Sequence, residues 1–172
     1  MKPGALSRED IDRLLRRPLV ARLATIDPDG YPAIVPVWID WDGRAAWLVV
    51  RATARFVEDL RRDPRVGLSI VADDDPDLRV QVRGRATIVE GPGPLKGRLL
   101  ALTRTLAERY EGAAGAAYVE SSRDWPRCLV RIDPVVLVGW GSPDWHDRYR
   151  QRVEPAEPAE PDAPAEARKE HP

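Results

Sequence analysis

Between Arg22 and Val50 the apolar and polar positions alternate in a strand–turn–strand–turn–strand rhythm. Asp27-Pro28-Asp29-Gly30 supplies the first turn. Proline presets its own dihedral, and glycine accepts the left-handed conformation that closes the turn. Asp42-Gly43 is the second turn, of the kind that favours a tight hairpin. Between them Ile34, Val35, Val37, Trp38, Ile39 and Trp41 are β-branched or aromatic. The pattern predicts three consecutive antiparallel strands, over residues 19–26, 32–41 and 46–51. Pro36 interrupts the second, which calls for a bulge, an edge position or a place where the backbone turns toward a ligand.

The same patterning continues on both sides. Ser7 caps a first helix with Ile11, Leu14 and Leu15 on one stripe, and Pro18 ends it. Residues 53–62 predict a short helix with Phe56, Val57 and Leu60 inward, stopped by Asp63-Pro64. A fourth strand follows over 66–71, then an acidic turn over 73–77. Residues 78–88 have a period of two. Val80, Val82, Ala86 and Ile88 share one face, and Arg79, Gln81, Arg83 and Arg85 share the other, as in a half-buried strand. Gly91-Pro92-Gly93-Pro94 reads as a break. The longest helix is expected over 95–110, with Leu99, Leu102, Leu106 and Tyr110 along one face, and a shorter one over 113–120. A last long strand covers 128–140, interrupted by Asp133-Pro134. The expected fold is mainly β with peripheral helices, six strands closing as an antiparallel barrel.

Composition narrows the function. Net charge is −1, so nothing pulls the whole chain toward nucleic acid or an anionic membrane. The charge is uneven: from Glu154 onward there are six acidic and two basic residues, which leaves 25 basic and 22 acidic residues before it. The mildly basic body suits an anionic small ligand. The tail, residues 153–172, is a proline-spaced acidic run with too little apolar surface to fold, and is expected to be disordered. Cys128 is the only cysteine, and His146 and His171 are the only histidines. No intrachain disulfide is available, and no metal site is expected. The chain shows no apolar signal core and no stretch of membrane length, so a cytoplasmic location is expected.

No Walker loop, dinucleotide fingerprint or nucleophile elbow occurs. If the chain is an enzyme, a borrowed cofactor carries the chemistry. Arg51, Thr53 and Arg55 surround the start of the 53–62 helix, whose free backbone N–H groups favour a phosphate. The other reading of Arg51 and Arg55 is solvated surface charge. The Arg79/Gln81/Arg83/Arg85 face is more simply the polar side of a strand. Trp140, Trp145, His146 and Arg148 form a third cluster near the chain end. Its aromatics either cap the barrel or line a pocket for a flat ring.

These stretches resemble the pyridoxamine 5'-phosphate oxidase-like family of flavin-binding split barrels. The carrying segments are Asp27-Pro28-Asp29-Gly30-Tyr31-Pro32 with Val35-Pro36-Val37-Trp38, the run from Thr53 to Val66, and the Val-x-Gly-x-Ala strand at Val82 to Ala86. The resemblance covers about residues 7–152, and makes 1–152 an FMN-binding split-barrel domain. It implies a homodimer with FMN at the subunit interface and a flavin-dependent oxidoreductase acting on an unnamed small molecule. Val35, Pro36, Val37 and Trp38 would lay their backbone along the flat ring. Val49, Val50, Arg51, Thr53, Arg55 and Phe56 would form the phosphate-binding segment. Arg55 falls on the arginine of the family's Ser-Arg-Lys motif, Phe56 replaces the lysine, and Arg51 is the substitute. Arg79 falls near a flavin-contacting glutamine. Trp140 resembles a tryptophan that packs by the cofactor, and Arg148 inherits a flavin-binding role. His146 and Trp145 would face the substrate. Asp144 replaces an arginine that grips the vitamin phosphate, which argues against vitamin B6 as substrate. Catalytic residues are not assigned. The alternatives are an F420-dependent reductase on the same fold, or a non-catalytic flavin- or haem-binding protein with His146 as axial ligand.

Overall fold

The computed structural model describes residues 4–141. The predicted tail and the positions Asp144, Trp145, His146 and Arg148 lie outside the described residues.

The elements are α1 (Arg8–Leu15), β1 (Ala21–Ile26), β2 (Pro32–Val37), β3 (Asp40–Trp41), β4 (Ala46–Arg51), α2 (Arg55–Arg62), β5 (Arg65–Val71), β6 (Arg79–Gly93), α3 (Gly97–Glu111), α4 (Gly115–Ser121) and β7 (Arg127–Trp140). A single 3₁₀ turn, Gly112–Ala114, joins α3 to α4. The strands form one antiparallel sheet in the order β2-β1-β5-β6-β7-β4-β3. Its β6 alternation matches the sequence pattern: Val80, Val82 and Ala86 are buried, and Gln81, Arg83 and Arg85 are exposed.

Three expectations need correction. There are seven strands, not six, because the predicted second strand is two: β2 and β3. Nor do the first strands make a meander. β1 pairs β2 and β3 pairs β4, but β2 and β3 lie at opposite edges of the sheet. Only Trp38 and Ile39 separate them, a reach of at most ~11 Å. The sheet must therefore curl until its two edges nearly meet, which is a split barrel with its seam between β2 and β3. Pro36 sits on the edge strand β2, where a missing N–H is tolerated.

The third correction concerns Gly91-Pro92-Gly93, which does not end the strand: β6 runs on to Gly93. Gly91 has φ +97°, and a side chain there would run into the Arg127 carbonyl of β7. The glycine lets two backbones close on one another. The expected interruption at Asp133-Pro134 is milder than a break. Arg83 faces Val136 and Gly84 faces Pro134, so Val135 is one extra residue, bulged out and 72% exposed.

The barrel interior is one apolar cluster that includes Leu23, Leu48, Leu68, Ile70, Val80 and Ile132. α1 seals it with Ile11, Leu14 and Leu15, and the Ser7 hydroxyl accepts the Asp10 N–H at 3.1 Å as its cap. α3 closes the seam. Its Tyr110 hydroxyl accepts from the Ile39 N–H at 3.2 Å and reaches the carbonyls of Leu19 (3.1 Å) and Ile39 (3.2 Å). The neighbouring Arg109 pairs with Asp40 at 2.8 Å. The crossing peptide at Ile39 has no strand partner, and Tyr110 supplies it.

Candidate functional site

Val35 and Pro36 stand on the edge strand, half-buried and exposed respectively. Val37 and Val50 turn their side chains into the core, so only their backbone can face a ligand. Val49 is half-buried and packs with Trp47 against Leu95, Leu99 and Leu129. Arg51, Thr53 and Arg55 are exposed around the turn from β4 into α2, whose N-cap Ala54 offers no side-chain oxygen. Phe56 is half-buried against the core. Arg79 and Trp140 face each other across β6 and β7.

This arrangement divides the predicted residues into two groups. β7 begins at Arg127, opposite Arg51, and ends at Trp140, opposite Arg79. The groups are separated by roughly 40 Å of strand path. One chain therefore places the Arg51–Arg55 turn and the Arg79/Trp140 pair at different ends of its longest barrel strands.

Around the Arg51 end the structure joins the predicted Trp38 to three residues that the sequence did not single out, Tyr118, Trp125 and Arg127. Trp38 stacks on Tyr110, with ring centroids 5.3 Å apart and planes at 15°. It meets Tyr118 edge-on at 5.4 Å. The Tyr118 hydroxyl accepts from Arg127 Nη2 at 3.2 Å. The Arg127 guanidinium lies 5.9 Å from the Tyr118 ring centre and 5.8 Å from that of Trp125. Arg51 lies over the same Trp125 ring at 4.3 Å. Aromatic rings and guanidiniums thus alternate from the barrel seam to the β4–α2 turn. The one sequence signal available was a tryptophan in the polar turn Arg123-Asp124-Trp125-Pro126-Arg127. Its meaning depends on the strand register, which sets Arg127 beside Arg51.

The electrostatics of this end are unbalanced. Arg127 is 3% exposed, and its Nε has no hydrogen-bond partner. Among the described residues, Arg51, Arg55 and Arg127 form no ion pair with a carboxylate. Cation–π contact offsets only part of the cost of burying a charge. Burial raises the Tyr110 phenol above its usual value, so it stays a neutral donor. Among the described residues no group of three or more His, Cys, Asp or Glu could hold a metal. Likewise no helix is long and apolar enough to cross a membrane. An orphaned, buried guanidinium nitrogen beside a second unpaired arginine fits a phosphate-bearing group.

The comparisons agree with the architecture. The family profile described as pyridoxamine 5'-phosphate oxidase matches residues 7–141. The chain belongs to the pyridoxamine 5'-phosphate oxidase family. Among solved structures it is similar to an F420 reductase, at 28% identity and a TM-score of 0.57, over 73% of this chain and 94% of that one. A conserved hypothetical protein from Mycobacterium tuberculosis is 27% identical, with a TM-score of 0.65, over 92% and 97% of the two chains. A heme binding protein from Mycobacterium smegmatis shares the fold at 24% identity and a TM-score of 0.54, over 79% of this chain and 55% of that one. A search of curated protein sequences finds no match.

Proposed function

We propose that this chain is an oxidoreductase that uses a phosphate-bearing flavin-type cofactor, held between two copies of the chain, to act on a small molecule. The observation that carries the reading is the uncompensated Arg51/Arg127 pair at the end of β4 and β7. The bound cofactor would supply a planar ring able to accept or donate a hydride. The chain would contribute position and charge. Arg51, Arg55 and Arg127 would hold the phosphate end. The edge backbone from Val35 to Trp38 would run beside the ring, and Pro36 leaves one fewer N–H there to satisfy. Trp140 and Arg79 lie too far along β7 to join the same phosphate end within one chain, which supports a site completed by a second copy.

The cofactor we favour is F420. Two observations support it over FMN: the F420 reductase is similar over nearly its whole length, and Arg127 adds a cation to the groove that the sequence reading lacked. FMN is the second reading, favoured by the Trp145-His146-Asp147-Arg148 run, which resembles a flavin-binding element. Fluorescence titration of the purified apoprotein with each cofactor decides between them. Tighter F420 binding is expected. If the protein neither copurifies with a flavin-type chromophore nor binds one on titration, the reading fails. A Soret band on haem addition, lost in His146→Ala, would replace it with haem binding. Light scattering should give the mass of a dimer, and a monomer would remove the two-copy site. A cytoplasmic location is part of the same proposal.

A further inference from the structure

We infer that Pro32 and Pro36 close the free edge of this sheet to a further strand, so that extended peptides and other copies of the chain are turned away from β2. Two copies then meet through side chains and not by extending the sheet. The inference concerns the backbone of the apoprotein and does not rest on the cofactor reading above.

The two edges of the sheet are β2 and β3. β3 is blunt in itself: it is two residues long, and its Asp40 carries a charge held by Arg109. Short length and charge are ordinary ways to stop an edge from pairing. β2 has neither. It is six residues long, and from Tyr31 to Ile39 the chain holds no charged side chain. Tyr31 is 70% exposed and Ile34 67% exposed. An uncharged, exposed run rich in β-branched residues at a sheet edge is a template for strand addition unless something interrupts it.

The register identifies the interruption. β2 pairs β1 without a break from Ile26↔Pro32 to Ala21↔Val37. In an antiparallel pair, alternate residues turn both N–H and C=O to the partner, and those between turn both away. Proline has no N–H to give, so the bonded positions are Ala33, Val35 and Val37. β1 agrees: it meets them with Thr25, Leu23 and Ala21, and its remaining pairs to β5 run through Arg22 and Ala24. Pro32, Ile34 and Pro36 therefore face the open side. That side presents three carbonyls and a single N–H, at Ile34. A strand laid along it would set its own carbonyls against two pyrrolidine rings while water is squeezed out, which is the costly way to lose a hydrogen bond. One proline stands on each side of Ile34, so no added strand, parallel or antiparallel, can take two successive N–H bonds from β2.

The test uses the full chain as apoprotein. Amide hydrogen exchange should show Ala33, Val35 and Val37 protected and Ile34 fast. A protected Ile34 in the wild type would overturn the assignment of the open side. Pro32→Thr and Pro36→Val each restore an N–H to that side. By light scattering the wild type should not grow beyond its assembly mass as concentration rises, whereas each variant should. The double variant should associate at concentrations about tenfold lower than either single one, the equivalent of one net hydrogen bond. Its product should bind thioflavin T and protect the Ile34 amide. Ile34→Lys added to the double variant should return it to the wild-type mass, because lysines on the edge repel one another. Association that persists with Ile34→Lys does not run through this edge and overturns the inference. A double variant with native circular dichroism that keeps the wild-type mass at every concentration overturns it as well. These outcomes are the same whether or not the protein binds a cofactor, so the proposed function and this inference fail separately.

Discussion

Two charged side chains are buried to the same depth in this barrel and live in opposite circumstances. Asp59 of α2 is 2% exposed and Arg127 of β7 is 3% exposed. Asp59 is compensated. The Thr25 hydroxyl donates to it at 3.2 Å, and Arg62 approaches at 3.5 Å while also donating to the Ile26 carbonyl. Together these contacts pin α2 to β1, so the buried charge is a fastener. Arg127 has aromatic faces, one phenol oxygen and a second arginine, and no acid among the described residues. Burial depth alone does not separate a structural charge from a binding one. The inventory of partners does.

The sharpest way to break the contrast is Asp59→Ala. It removes the acceptor for Thr25 and the counter-charge for Arg62, and should cost about 3 kcal/mol, read as a lower urea midpoint at unchanged slope. A change under half of that would show that the α2 corner is not held by the carboxylate. Next is Tyr110→Phe, which strands the Ile39 N–H at the seam near the Arg127 cluster. The expected cost is about 2 kcal/mol, with faster amide hydrogen exchange at Ile39. Arg127→Met should move the other way, stabilising the apoprotein by about 1 kcal/mol because an uncompensated charge is replaced by a side chain of similar length. Destabilisation there would erase the distinction between the two sites.

The smallest effect belongs to Asp63, a half-buried neighbour of Asp59. Arg65 donates side-chain hydrogen bonds to Asp63 and, with its own backbone N–H, holds the Asp63 carboxyl down at about 2. The folded value lies below the unfolded one of 3.8, so the folded state binds fewer protons. The contribution is present above pH ~4 and is lost as pH falls toward ~2. Carboxyl-carbon NMR should follow Asp63 titrating near the bottom of that window, and Arg65→Ala should return it toward the ordinary aspartate range. An unmoved titration would mean that the pair does not form in solution.

Local pattern made most elements legible. The bounds of β4 match the prediction at both ends, because Asp42-Gly43 fixes where it begins and Ala52-Thr53 interrupts the apolar run. The alternation of β6 was readable from Val80 to Ile88 because a half-buried strand imposes a period of two. The strand at Gly91 was misread. Glycine and proline signal a turn locally, but here they serve a close approach to β7 that only the neighbouring strand creates. Arg51 and Arg55 were visible as candidates beside a helix start. Arg127 and Tyr118 were not, since each is unremarkable within its own segment, and Trp125 in its polar turn gains a meaning only from the β4–β7 register.

By itself the sequence determined the strands, the main turns, the half-buried alternation and the membership in a family of split barrels. Those properties depend on residues within a few positions of each other, where turn chemistry and periodicity act directly. The tertiary structure decided which edges the curled sheet would bring together. It also decided that β4 and β7 would pair in the register that sets Arg51 against Arg127. Pairing of strands some 75 residues apart follows from burial of the whole core and not from any local propensity. For that reason the chemically most suggestive pair in this protein emerges only once the barrel is assembled.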